Sequence, residues 1–384
     1  MPRLSKHERI FFNQNVILVY FKIEVFRYRA TMKKIISILA TIMWVLLTVP
    51  AASAAAPDAP EVLTQPSIIS QKALHGVMLA VANAGSRLVA AGERGTVLLS
   101  DDAGKTWRQV TTPVQVSLVA VQFVNAKTGW AVGNLGVVLH TTDGGETWSK
   151  QLDGIQAADI VAKAASTPEE QTAAQRLVND GPDKPFLNLY FEDELNGYII
   201  GAYNLIFKTI DGGKSWQSWQ KHVTNPKGMH LYGLRPAGGS LFLVGEQGIL
   251  FRSTDHGETF KQMDSPYKGS FFGLIASKSG QIVLYGLRGN AFWSGNQGHT
   301  WKKIDTKIGV TIADGIELAD GSIALVSQAG DVLISQNHGQ DFQLLPGQEP
   351  LPIATIAQAS DGSLIVAGLR GLKRIEPLAG IANK

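Results

Sequence analysis

One short pattern, Ser/Thr-x-Asp-x-Gly-x-Thr-Trp, recurs along the 384-residue chain at a spacing that marks a repeat architecture. It stands as Ser100, Asp102, Gly104, Thr106 and Trp107, then as Thr141, Asp143, Gly145, Thr147 and Trp148, then as Thr209, Asp211, Gly213, Ser215 and Trp216. Three looser copies follow: Ser253, Asp255, Gly257, Thr259, Phe260; then Ser294, Asn296, Gly298, Thr300, Trp301; then Ser335, Asn337, Gly339, Asp341, Phe342. A turn, mostly Gly-x-x-Gly, precedes each copy, and a seventh turn has no copy after it. The turns begin at residues 92, 133, 201, 245, 286, 327 and 368, in steps of 41, 68, 44, 41, 41 and 41. The chain therefore holds seven units, and one interval carries about 27 extra residues.

Each unit has the anatomy of four short strands. In the fourth, Leu231 to Leu234 reads as an inner strand, Leu241 to Val244 as a second, Ile249 to Ser253 as a third, and the segment after Phe260 as the outer one. Seven such units at this period predict an all-β fold, a seven-bladed β-propeller with four-stranded blades over residues 55–384. The repeated box is expected to be structural. Its Asp or Asn accepts backbone N–H bonds in a tight turn, its Gly takes positive φ, and its Trp or Phe packs between sheet layers. The seventh unit lacks an outer strand, while Glu61 to Ser70 (EVLTQPSIIS) is an apolar stretch ahead of the first inner strand. That stretch is expected to complete blade seven and close the ring, protecting an open edge.

The N-terminus reads as an address label. Met32-Lys33-Lys34 opens a basic region, Ile35 to Val49 is mostly apolar, and Ala52-Ser53-Ala54 offers small residues for cleavage, so residues 32–54 are expected to be a secretory signal peptide. An uncleaved anchor is the alternative, although the run falls short of the roughly 20 residues a spanning helix needs. Residues 1–31 read as an over-extended start, with Met32 as the true first residue. Eight of the 35 basic residues but two of the 32 acidic ones lie before residue 55, so the remainder carries 27 against 30 and is mildly acidic. Such a chain lacks the basic signature of a nucleic-acid binder. With no cysteine, disulfides and thiolate chemistry are excluded, and no His/Asp/Glu spacing suggests a metal or cofactor.

The string GWAVGNLGVVLHTTDGGETW (Gly129 to Trp148) resembles the photosystem II assembly and stability factor family of seven-bladed propellers. It also resembles the wider Asp-box (BNR) repeat group that includes sialidases, and the likeness spans roughly residues 60–376. The resemblance implies an exported, non-enzymatic scaffold, in the periplasm or a thylakoid lumen, that binds membrane-protein subunits or an envelope complex. It further implies an arginine-rich patch as the contact. The third positions of the Gly-x-x-Gly turns hold Arg94, Leu135, Tyr203, Gln247, Arg288, Ala329 and Arg370. Because these turns join second and third strands, Arg94, Arg288 and Arg370 should emerge on one face, where guanidinium groups can fork onto carboxylates.

The extra residues, about 154–186, join an outer strand to the next inner one and so belong to that same face. Thr167 as cap, Pro168 at the first position and Glu170 as box partner predict a helix to about Asn179, stopped by Gly181-Pro182. Two other functions fit an Asp-box propeller: a carbohydrate-binding module and a sialidase-like glycosidase. The latter needs an arginine triad near the central axis, whereas Arg94, Arg288 and Arg370 occupy rim turns. It also needs the Phe/Tyr-Arg-Ile-Pro string, which the first unit lacks, and its relatives have six blades.

Overall fold

In the computed structural model, which describes residues 59–348 and 350–377, the units form seven antiparallel sheets, six of four strands and one of three. The expected leader and signal peptide lie outside the described residues. Blade four has strands Leu231–Ala237, Ser240–Gly245, Leu250–Ser253 and Lys261–Gln262, in spatial order from channel to rim. Second strands such as Ile282–Gly286 and Leu364–Gly368 are buried along their whole length. Both of their faces pack on neighbouring blades, which is why they read as unbroken apolar runs without alternation.

The core is divided among the seven junctions between blades. Val89, Leu99, Val116 and Leu139 join blades one and two, and Trp130, Phe186, Ile199 and Phe207 join two and three. The series continues to Leu364 and Val366 against Val326 and Ile334, and to Leu88 and Leu98 against Ile365 and Ala367, where blade seven meets blade one. The ring is thus closed by ordinary blade-to-blade packing.

The expectation that residues 61–70 form the outer strand of blade seven is corrected. Blade seven has only Ile353–Gln358, Leu364–Gly368 and Gly371–Ile375 among the described residues. The N-terminal segment instead runs outside blade one, where Ser67 donates its N–H to Thr112 O and Gln115 donates its N–H to Val62 O. Its apolar character is that of a plug, for Leu63 is fully buried at the junction of blades one and two. Pro60 and Pro66 have no N–H to offer a ladder.

The insertion holds two helices where one was expected. Helix α1 (Gly154–Ala164) is capped by Asp153 in a box with Gln156, and α2 (Pro168–Asn179) by Thr167 in a box with Glu170. Each box satisfies N–H groups that a helix start leaves unpaired.

Candidate partner-binding face

Antiparallel blades put two kinds of loop on opposite faces of the disc. On one face the boxes fold as closed hydrogen-bonded turns. Ser100 Oγ accepts the Gly104 N–H and donates to Asp102, whose carboxylate accepts the Thr106 N–H and, at 2.6 Å, the Thr106 hydroxyl. The same bonds recur around Asp143, Asp211 and Asp255. In blade five the amide of Asn296 donates to the Thr300 hydroxyl, and in blade six that of Asn337 donates to the Asp341 carboxylate. Trp148, Trp216, Phe260 and Phe342 are buried beneath their boxes, while Trp107 and Trp301 are half-buried.

These bonds hold the carboxyl groups low: Asp102 lies at about 2, first because of the Thr106 hydroxyl and then the Thr106 N–H. Asp255 is lowered further, chiefly by Thr259; at Asp143 and Asp211 burial pushes upward, but the hydrogen bonds prevail. A carboxyl whose folded value is depressed contributes stability in full above its unfolded value near 4, and loses it as pH falls toward about 2. The thermal midpoint is therefore expected to drop between about pH 4 and 2. A variant with Asn at 102, 143, 211 and 255 should show a shallower drop, since the boxes of Asn296 and Asn337 accommodate that residue. An equal slope in the two proteins would dismiss the boxes as the source.

The other face carries the Gly-x-x-Gly turns. In five of them the third residue, Arg94, Leu135, Tyr203, Gln247 or Arg288, adopts a left-handed backbone with φ between 53° and 57°; all but Leu135, which packs against the junction of blades one and two, are exposed. The turns at 327–330 and 368–371 are tighter, and Ala329 and Arg370 are not left-handed. Arg94, Arg288 and Arg370 are all exposed, and none of the three guanidinium groups has a side-chain partner among the described residues. Arg94 and Arg370 belong to neighbouring blades, whereas blade six, bearing Ala329, separates Arg370 from Arg288. A fourth arginine without a side-chain partner among the described residues, Arg176 on α2, shares this face. Its i,i+4 spacing to Asp180 reads in sequence as an ordinary helical pair, but Asp180 pairs with Lys184.

The remaining five described arginines are engaged. Arg87 and Arg108 pair with Asp101 and Glu146, Arg374 with Asp361 and Glu376, and Arg252 binds Ser240 and the Gln297 carbonyl, all on the box face. Arg235 lies in the central channel, a cavity of about 740 Å³, and donates to Asn188 and to the carbonyls of Leu189 and Leu234. Beside it in the channel wall is Asp314, which accepts from Tyr285, Gly315, Thr355 and Ile356, a constellation the sequence did not reveal. Among the described residues no group of three or more His, Asp or Glu side chains is placed to hold a metal ion.

Residues 99–165 and 167–348 match the family described as photosynthesis system II assembly factor YCF48. The Photosystem II assembly lipoprotein Ycf48 of Synechococcus sp. (strain CC9902) is 26% identical over 77 residues, which span 20% of this chain and 23% of that relative. Among solved structures, YCF48 bound to D1 peptide superposes with a TM-score of 0.59 at 18% identity, over 81% of this chain and 96% of the other. YCF48 from Cyanidioschyzon merolae gives 0.58 at 14%, over 80% and 97%. The WD40 propeller domain of Doa1 gives 0.55 at 13% over 81% and 95%, so at these identities the structural likeness speaks for the fold. The family model covers more than half of the sequence, and the chain belongs to the photosynthesis system II assembly factor YCF48 family.

Proposed function

We propose that this protein is an exported, non-catalytic assembly scaffold that holds a membrane-protein subunit against its turn face. The observation that carries the proposal is the asymmetry of its arginines. Those of the box face are neutralised by internal carboxylates or bound to carbonyls, while Arg94, Arg176, Arg288 and Arg370 present on the opposite face guanidinium groups that have no side-chain partner among the described residues. The turn-face acids do not quench them: Glu93 accepts the Val77 N–H and Glu246 the His230 N–H. A rigid ring of unpaired, forked donors suits carboxylates of a protein partner. Family membership supports the same reading, since a relative is a photosystem II assembly lipoprotein and YCF48 has been solved bound to D1 peptide. The glycosidase reading is disfavoured because, among the described residues, Arg235 is the one arginine lining the channel, and its guanidinium is already bonded.

The test is affinity capture from the envelope of the exporting cell, using wild type and a variant with Arg94→Ala, Arg288→Ala and Arg370→Ala. Recovery of specific membrane proteins is expected to fall at least tenfold in the variant, with an unchanged circular dichroism spectrum. Undiminished capture would reject the face, and glycans as the sole ligand would establish the carbohydrate-binding alternative.

A further inference from the structure

Between the helical insertion and blade three lies a cleft of about 640 Å³. Its walls are apolar: Val161 and Ala164 from α1, Ala173, Ala174 and Leu177 from α2, and Leu205 from blade three. The space exists because α2 turns small residues toward it. Ala173 and Ala174 line it at positions where longer side chains would fill the gap between helix and blade. Two ion pairs mark the ends. At one, Lys221 binds Glu170 at 2.9 Å and also donates to the Ala164 carbonyl and Ser166 hydroxyl; at the other, Lys184 pairs with Asp180 at 3.5 Å. Tyr203, 57% exposed and held at φ 55°, projects its ring at the mouth, with the Lys184 ammonium 5.9 Å from the ring centroid. Arg176 also stands on the rim. It is the one rim cation without a carboxylate among the described residues.

We propose that this cleft captures an extended peptide segment with apolar side chains and a carboxylate that meets Arg176. Glu170 and Asp180 bracket about 15 Å of helix, which matches four or five residues of extended chain at about 3.3 Å each. The apolar walls take alternate side chains, and the internal ion pairs leave only Arg176 to choose a charge. This deepens the turn-face proposal and rests on its reading that a protein partner meets that face. It adds a subsite distinct from Arg94, Arg288 and Arg370.

The probe is a fluorescein-labelled hexapeptide of alternating leucine and glutamate, acetylated and amidated, with a leucine–lysine counterpart, read by anisotropy on the full chain. The glutamate peptide is expected to bind at least tenfold more tightly than the lysine peptide. Ala173→Trp, which fills the cleft, and Arg176→Glu, a change at an exposed position, should each weaken it at least tenfold without moving the thermal midpoint. Equal binding of the two peptides, no binding of either, or indifference to both variants overturns the proposal. A dimer of the full chain that Ala173→Trp dissociates would assign the cleft to a second copy and overturn it equally. The variant with Arg94→Ala, Arg288→Ala and Arg370→Ala separates the two proposals. It is expected to lose the membrane protein and keep the peptide; if it loses both, the cleft fails and the three arginines stand, and if it retains both, the three arginines fail as the contact and the cleft stands.

Discussion

Gly245→Ala is expected to destabilise the protein by about 3 kcal/mol or more, among the largest effects a single methyl group can have. The backbone at Gly245 is extended, with φ −172°, so no conformational penalty attaches to a side chain there. The cost is steric. A Cβ at this position would lie 2.1 Å from the carbonyl oxygen of His230 and 3.0 Å from Ile249. The His230 carbonyl cannot retreat easily, because it accepts the Glu246 N–H at 2.9 Å and belongs to the loop that leads into the inner strand. The same approach recurs at Gly92, Gly133, Gly201, Gly286 and Gly368, each within 2.2 Å of the corresponding carbonyl. Gly239→Ala supplies the contrast: its φ is 78° but its Cβ would meet nothing within 4 Å. It should cost only about 1 kcal/mol. Urea denaturation of the two variants measures the difference, and a loss below about 1 kcal/mol at Gly245 would refute the close-approach account.

The sequence made these glycines visible as punctuation without saying why they are needed. A Gly-x-x-Gly string signals a turn, and the fourth glycine does take positive φ, at Gly95, Gly136, Gly248 and Gly289. The first is required by a carbonyl more than ten residues upstream, which no local pattern encodes. Ser327 shows the exception. Its hydroxyl accepts the N–H groups of Ala329 and Asp331 and donates to the Asp331 carboxylate, forming a tighter turn of its own. The blade count was legible because the period is carried by residues each turn needs locally. The placement of residues 61–70 was not, since an apolar stretch looks alike whether it forms a ladder or, like Leu63, plugs a junction. Helix α2 announced itself through Thr167, Pro168 and Glu170, whereas α1 starts at a glycine and was missed despite its Asp153–Gln156 box. On the turn face, Arg94, Arg288 and Arg370 could be placed by repeat register. The freedom of Arg176 depends on Asp180 choosing Lys184, a matter of tertiary position.

The channel constellation leads to the second large effect: Asp314→Ala is expected to cost about 3 kcal/mol, because four donors would lose their acceptor together. Asp314 Oδ1 accepts the Gly315 N–H at 2.8 Å and the Tyr285 hydroxyl at 3.2 Å, while Oδ2 accepts the Thr355 hydroxyl at 2.8 Å and the Ile356 N–H at 3.2 Å. Tyr285 belongs to blade five, Asp314 to blade six and Thr355 to blade seven, so one carboxylate ties three consecutive blades near the axis. Tyr285 is buried, and alanine would strand its hydroxyl in an apolar junction with Ile275 and Leu325. Burial raises the Asp314 carboxyl above its usual value, against the pull of the Thr355 hydroxyl, and burial followed by the Asp314 charge pushes the Tyr285 hydroxyl well up. The sign is therefore opposite to that of the boxes. With its folded value raised, Asp314 contributes most below its unfolded value near 4 and less as pH rises through the folded one. The loss caused by Asp314→Ala should accordingly be at least as large at pH 4 as at pH 7, since the box contribution is common to both proteins and cancels. Thermal or urea unfolding at the two pH values reads this directly. A loss under about 1 kcal/mol at both would mean that channel water satisfies the four donors and that the three blades do not depend on this carboxylate.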